Sequence, residues 1–319
     1  MGKEILITDS LFIDKGNVEE LERAGFSCTR LDKSEATEAE LIEAIKGKSG
    51  YILGGIEKVT SNVIASADRL EAIVFTGAGY KEFIPAWQEA TKKGIAIANT
   101  PGGNAASVAE YTITLMLAML RNIFELGRTG TKKFETTPSL RDTVVGIIGM
   151  GNVGKAVARN LKALGAKEII YFSKTRKTEV EKELGVKYMP MEDILKNSDI
   201  VTLHFPKDAG EKIIGEKELQ LMKDKSILIN VAFREGVDFV ALKKEIKAGR
   251  LRAAFDGAPH EEFSDLPIGG FFCSNLQTAY NTKEAIATIN AMAISSMINL
   301  LKSGEDKYLV NPEYKQNKG

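Results

Sequence analysis

Cysteine is scarce in this chain: Cys28 and Cys273 are the only two in 319 residues. They have neither metal-ligand nor C-x-x-C spacing, which sets aside a metal cluster or a dithiol redox centre and leaves buried thiols in a reducing cytosol. Histidine is as rare, with only His204 and His260. Net charge is absent too, since 43 Lys and Arg balance 43 Asp and Glu. Nothing in that balance suggests nucleic acid or an anionic membrane as a partner. The longest apolar run, at 111–120, is too short to span a bilayer. The opening KEILIT reads as a first strand rather than a leader. No internal repeat or low-complexity segment stands out. The expectation is a soluble cytoplasmic chain of enzyme-like size, long enough for two domains with a core each.

What the chain does have is concentrated at 144–176. Val144 to Ile148 is a β-branched apolar run, the pattern of a strand buried on both faces. Gly149, Gly151 and Gly154 follow in G-x-G-x-x-G spacing. A helix comes next, with Val153, Val157, Leu161 and Leu164 on one side and Gly165 as its stop. A second strand at 168–172 completes a βαβ unit. The glycines serve a tight turn, close approach of backbone to a pyrophosphate, and helix–strand packing. The phosphates would rest on free N–H groups of Asn152 and Val153 at the helix start. A lone glycine motif means little, but strand, glycines, helix and strand in this order mean dinucleotide binding.

The end of the second strand bears on which dinucleotide. A unit for NAD usually places Asp or Glu there, against the ribose 2′-hydroxyl. Here the residues are Ser173, Lys174, Thr175, Arg176 and Lys177, with no acid before Glu179. Hydroxyls and cations suit a 2′-phosphate, which a carboxylate would repel. NADP(H) is therefore expected over NAD(H).

Before this unit, short strands at 5–8, 26–31, 51–53, 72–75 and 95–98 alternate with helices at 18–24 and from Thr37, where Thr37 and Glu40 have capping-box spacing. Such alternation argues a parallel, doubly wound α/β domain. It has no dinucleotide fingerprint and should hold the substrate. Pro101, Gly102 and Gly103 form a candidate hinge. The stretch 105–126 reads as one long, very apolar helix, sandwiched between domains or buried at a subunit interface. Residues 127–139 read as a polar loop or arm. A helix at 178–184 opens with another capping-box spacing, Thr178 to Glu181. Strands at 200–203, 227–231 and 253–255, a helix at 239–248 and a last amphipathic helix at 284–301 precede a polar tail.

Taken together, ATKKGIAIANTPGGNAASVAE (90–110), SLRDTVVGIIGMGNVG (139–154), YFSKTRK (171–177), SDIVTLHFP (198–206) and LMKDKSILIN (221–230) resemble the D-isomer-specific 2-hydroxyacid dehydrogenases, and within them the NADP-type glyoxylate/hydroxypyruvate reductases. The resemblance implies a discontinuous flavodoxin-like substrate domain, 1–99 plus 285–319. It implies a Rossmann cofactor domain at 100–284, through which two copies would form a homodimer. His204, Phe205, Pro206, Val231, Ala232 and Asp256 would then line the cofactor site. Ala78 and Gly79 would hold a substrate carboxylate on backbone N–H groups.

That family is reported to use an Arg clamp, a His proton donor and a Glu that pairs with the His. Hydride arriving at a keto carbon leaves an alkoxide that must be stabilised and protonated, and the substrate carboxylate calls for a cation. In the pattern N-x-x-R-G-x-x-V-D, Asn230 and Asp238 keep the spacing, so Phe233 stands where Arg is expected and Arg234 where Gly is. Arg234 replaces the clamp only in a remodelled loop, and Lys81 is a weaker substitute. Glu261 falls on the catalytic Glu. Gln277 falls on the His, and a glutamine hydrogen-bonds a carbonyl without delivering a proton. His260 and Tyr280 are the remaining donors. Two readings result: an NADP(H)-dependent oxidoreductase of small 2-hydroxy or 2-keto acids with an altered site, and a non-enzymatic NADP(H)-binding sensor or partner-binding protein. The intact Glu261 favours the first.

Overall fold

The computed structural model describes residues 2–8, 13–33, 35–130, 136–206 and 209–317. Part of the loop expected at 127–139, residues 131–135, lies outside the described residues. The chain divides into two compact units: Met1–Asn104 with Lys283–Gly319, and Ala105–Thr282.

The first unit is a five-stranded sheet built from β1 (Glu4–Thr8), β2 (Ser27–Leu31), β3 (Gly50–Leu53), β4 (Ala72–Phe75) and β5 (Ala96–Ala98). Their order is β2-β1-β3-β4-β5, all parallel. Every residue of β3, β4 and β5 is buried, as continuous apolar strands in a two-faced parallel sheet must be. Thr37 and Glu40 form the capping box their spacing suggests. Lys283–Ser303 is long and apolar enough to cross a bilayer by length and composition. Here its Ala293, Ile294, Met297, Leu300 and Leu301 cover one face of the sheet, against Ile5, Ile52 and Val74. A Cβ on Gly50 would lie 2.6 Å from the Met297 sulfur, so a larger residue there would have to push that side chain aside.

The polar tail is less peripheral than its composition suggests. Asn311 is fully buried. Its Oδ1 accepts from the Ile97 N–H at 2.7 Å, while its Nδ2 donates to Ile95 O and Thr91 Oγ1 at 2.9 and 2.8 Å. The tail thus satisfies the open edge of β5, and Leu309 bridges Ala98 beside it.

The second unit contains β6 (Val144–Ile148), β7 (Glu168–Phe172), β8 (Lys187–Tyr188), β9 (Ile200–Leu203), β10 (Ile227–Asn230), β11 (Arg252–Phe255) and β12 (Phe271–Cys273). Their order is β12-β11-β10-β9-β6-β7-β8, parallel throughout. The chain runs outward from β6 through β7 to β8, then returns to β9 and runs the other way. The switch between β6 and β9 opens a crevice at the carboxyl ends of the strands.

The helix expected over 105–126 is two helices, Ala105–Leu120 and Ile123–Thr129. Asn122 breaks it with a left-handed backbone, φ 54°. Arg252 of β11 donates to Met119 O at 2.9 Å and also to the Asn122 side chain, capping the first helix. Ala109, Ile113, Leu115, Met116, Met119 and Leu120 belong to the core formed with Asn152–Ala163 and strands β6 and β10. Burial within its own unit therefore accounts for the apolar character of this helix, and no subunit interface is needed to explain it.

Candidate active site

At the crevice, three glycines occupy three different physical situations. Gly149, the first residue after β6, has φ 106°, a conformation only glycine adopts readily. Its N–H donates to Phe172 O at 2.8 Å. A Cβ there would come within 2.5 Å of the His204 backbone, so the turns after β6 and β9 touch main chain to main chain. A Cβ on Gly154 would sit 2.0 Å from Gly149 O, so the helix is pressed onto the turn. Gly151 is the opposite case: nothing lies within 4 Å of its added Cβ. It is the N-cap of Asn152–Ala163 and supplies no side-chain cap. The first N–H groups of the helix, those of Asn152, Val153 and Gly154, have no carbonyl a turn back to bond. A bare N-cap on an open face is a seat for an anion.

Comparison with known proteins agrees with this geometry. Residues 113–276 match the family model for the D-isomer specific 2-hydroxyacid dehydrogenase NAD binding domain. The chain belongs to the D-isomer-specific 2-hydroxyacid dehydrogenases. It is 37% identical to a glyoxylate reductase of Thermococcus litoralis over 227 residues, 67% of this chain and 68% of that one. Among solved structures, a Pyrococcus horikoshii protein is similar at 29% identity with a TM-score of 0.81, covering 99% of this chain and 97% of that one. NAD+-bound 3-phosphoglycerate dehydrogenase of Entamoeba histolytica shares the fold at 24% identity and a TM-score of 0.81, covering 98% and 99%.

As a member of this family, the chain has a dinucleotide-binding domain, and the other residues around its crevice can be placed. His204 follows β9. Its Nε2 lies 2.9 Å from Thr202 Oγ1, while Nδ1 is buried with no partner. Burial pushes its pKa down to about 3, so the ring is neutral. A buried orphan nitrogen in a cofactor crevice is a group that a ligand can satisfy. Phe205 is buried and meets the Phe233 ring edge to face, centroids 5.5 Å apart, over Gly236. Pro206 is exposed beside it.

After β10, the Asn230 side chain shapes the turn. It accepts from Ala232 N at 2.9 Å and donates to Phe233 O at 3.3 Å, leaving Val231 and Ala232 partly open at the crevice. Phe233 is thus drawn into apolar packing. Arg234 leaves the backbone the other way, over the Phe239 ring at 5.6 Å and 3.7 Å from Glu262. Gln277 is exposed, and its Nε2 is 3.5 Å from Ala232 O. Glu261 is exposed on the turn His260–Phe263. Loops 231–234, 256–262 and 274–279 are therefore gathered at one end of the sheet, with Gln277 and Arg234 each tied to them. His260 is exposed, with its backbone N–H on Asn275.

Asp256 is the centre of that gathering. Its Oδ1 accepts from Ser274 Oγ, Thr278 N and Thr278 Oγ1 at 2.9, 2.9 and 3.1 Å, and its Oδ2 from Ala279 N at 3.0 Å. The family resemblance implies a cofactor-lining residue here, and its hydrogen bonds go to the loop that carries Gln277, through Ser274, Thr278 and Ala279.

At the end of β7, Ser173 Oγ donates to Thr175 O at 2.6 Å, and Lys174 and Thr175 are exposed. Arg176 is not a free cation. Its Nε and Nη2 fork onto Glu181 at 2.9 and 2.8 Å. The capping box expected from Thr178 to Glu181 does not form: Lys177 is the N-cap, and the Glu181 carboxylate turns to Arg176 and Tyr171 instead. The motif places an acid at the strand end, whereas Glu181 lies five residues past the arginine, across a helix start.

In the first unit, Ala78 and Gly79 lie in the loop after β4. Asn99 Nδ2 holds Ala78 O at 2.7 Å, and Gly79 leads into the short helix Tyr80–Phe83 with open space at its Cβ. Lys81 lies over the Trp87 ring at 5.3 Å.

Proposed function

We propose that this chain is an NADP(H)-preferring oxidoreductase of a small 2-hydroxy or 2-keto acid, with an altered acid–base site. The observation that carries the proposal is the crevice at the β6–β9 switch, with a bare helix N-terminus at one end and a cationic loop beyond β7 at the other. The cofactor fits: Gly151 leaves open the face a pyrophosphate needs, and the His204 Nδ1 orphan lacks a partner. Asn152, Val153 and Gly154 would hold the pyrophosphate, and Ser173, Lys174, Thr175 and Arg176 the ribose end. When bound, the dinucleotide supplies or accepts a hydride.

The chain's own residues then take these roles. In the first unit, Ala78 and Gly79 carry backbone N–H groups of the kind that hold a carboxylate. Gln277 donates a hydrogen bond from Nε2 to a substrate oxygen but delivers no proton. Glu261 keeps the place of the family's pairing carboxylate, and Arg234, beside Glu262, is the available cation. Asp256 positions the Gln277 loop. A site of this kind orients and polarises more than it protonates, so turnover of glyoxylate or hydroxypyruvate should be feeble. Losing general acid catalysis costs on the order of 10²–10⁴ in rate.

The test is NADPH consumption with a panel of 2-keto acids at high enzyme concentration, beside isothermal titration with NADPH and NADH for wild type and Arg176→Ala. Tighter NADPH binding that Arg176→Ala erodes supports the cofactor assignment, and equal affinities refute it. Tight NADPH binding with no turnover on any acid would return the chain to the non-enzymatic reading. The homodimer expected from the family is a separate proposal, checked by light scattering.

A further inference from the structure

We propose that Glu181 sets how far this chain prefers NADPH to NADH, by holding Arg176 in a pre-formed ion pair and by supplying beside the 173–177 loop the carboxylate that the end of β7 lacks. The proposal rests on the reading above that this loop receives the adenosine ribose.

The geometry fixes Glu181 from two sides. On the strand side, the Tyr171 hydroxyl donates to Oε1 at 2.7 Å and itself accepts the Lys177 N–H at 2.7 Å. Tyr171 is fully buried, so this anchor does not wander. On the loop side, the guanidinium fork of Arg176 meets both carboxylate oxygens. The guanidinium lies over the Tyr188 ring at 5.7 Å, and Tyr188 stands edge-on to Tyr171 at 5.5 Å. A bidentate fork of this kind fixes the direction of the guanidinium as well as its charge partner. Hydrogen bonds from Arg176 and from Tyr171 hold the Glu181 carboxyl down to about 2, so it is an anion throughout the physiological range.

The cations of the loop are therefore not equivalent. Lys174 is exposed and has no ion-pair partner among the described residues, whereas Arg176 is already neutralised. A 2′-phosphate carries nearly two negative charges at neutral pH. To reach Arg176 it must share the guanidinium with Glu181 or draw it out of an existing fork, against repulsion from the same carboxylate. A 2′-hydroxyl meets neither cost and finds in Glu181 an acceptor. The pair thus narrows the preference that Lys174 and Arg176 would otherwise give.

The test is isothermal titration of NADPH and NADH against wild type, Glu181→Gln, Glu181→Asp, Arg176→Ala and the double variant Glu181→Gln with Arg176→Ala, with thermal unfolding of each. Glu181→Gln should tighten NADPH binding several-fold and leave NADH unchanged or weaker. Glu181→Asp keeps the charge and should stay near the wild-type ratio. The gain from Glu181→Gln should shrink once Arg176 is gone. Weaker NADPH binding in Glu181→Gln at unchanged NADH affinity would show a clamp that phosphate recognition requires, and would overturn the proposal. Equal losses for both cofactors with a lower melting temperature would show a structural brace and also overturn it. If Glu181→Gln is too unstable to titrate, Tyr171→Phe, which removes only the anchor, should shift the ratio the same way, and no shift would overturn the proposal. Failure of the underlying reading is recognised separately, as an Arg176→Ala variant with an unaltered ratio.

Discussion

Replacing Gly154 by alanine tests the crevice at its tightest point. The added Cβ would lie 2.0 Å from Gly149 O and 3.1 Å from Gly149 C, where ordinary contact starts at 3.4 Å. About 1.4 Å must then be found by moving the helix Asn152–Ala163 or the turn before it. Neither side has slack, because both atoms are main chain and Gly149 is tied to Phe172 O and pressed on the His204 backbone. Overpacking costs typically 1–3 kcal/mol, and a backbone clash belongs at the upper end, about 3 kcal/mol. For a unit of this size that lowers the melting temperature by roughly 6–12 °C. The displaced N–H groups should also cost roughly tenfold or more in NADPH affinity, given the worth of a single charge-assisted hydrogen bond. Gly151→Ala is the control. Its φ of −80° suits alanine and its Cβ meets nothing, so stability should change by less than about 1 kcal/mol, the worth of an N-cap. Affinity should still fall, since the new methyl occupies the face a pyrophosphate must approach. Circular-dichroism melts and NADPH fluorescence titrations measure both. A Gly154→Ala protein as stable as wild type, or a Gly151→Ala protein that binds NADPH as well as wild type, would refute the assignment of the turn.

Three further outcomes are expected. Phe233→Arg with Gln277→His should raise glyoxylate reduction measurably, and adding Glu261→Gln should reduce that gain, because the new His would lose its partner; strong wild-type turnover insensitive to Gln277 would show that these positions are misassigned. Asn311→Ala should cost about 2–4 kcal/mol in urea denaturation, because it strands the buried Ile97 N–H and Ile95 carbonyl at the edge of β5; an unchanged midpoint would mean the tail does not seal that edge. His204 is held neutral with its pKa near 3, whereas an unfolded histidine titrates near 6.5. The unfolded chain therefore binds the extra proton between those values, and stability should fall as pH drops from 6.5 toward 3, by up to about 1.4 kcal/mol per pH unit. His204→Gln should flatten that slope in urea melts at pH 7 and pH 5, and an identical slope would place the ring in solvent.

The βαβ unit was legible because its signals are local. Val144–Ile148, Gly149, Gly151 and Gly154, and the stop at Gly165 each state their conformation within a few residues. The short edge strands β8 and β12 were not legible, since two or three residues have no measurable period and are strands only because β7 and β11 lie beside them. The break at Asn122 is hidden by apolar residues on both sides of it, and Arg252, which caps the helix there, lies far along the chain. The same limit applies to the site. The strand-end residues pointed to Arg176, and the family resemblance to Asp256 and Gln277, but what each side chain does depends on partners the sequence leaves unpaired: Glu181, the 274–279 loop and Ala232.

The first unit's sheet is complete in sequence by Asn104, but its covering helix and the Asn311 seal belong to the chain's last residues. During synthesis, the 178 residues from Ala105 to Thr282 intervene. At about 5–20 residues per second they take roughly 9–36 seconds to emerge. Throughout that interval Ile5, Ile52 and Val74 have no Ile294 or Met297 to cover them, and β5 has an open edge. The second unit, continuous in sequence, can fold meanwhile. A nascent chain halted near residue 282 should therefore be held by chaperones or aggregate through its first unit, and release to residue 317 should end that dependence.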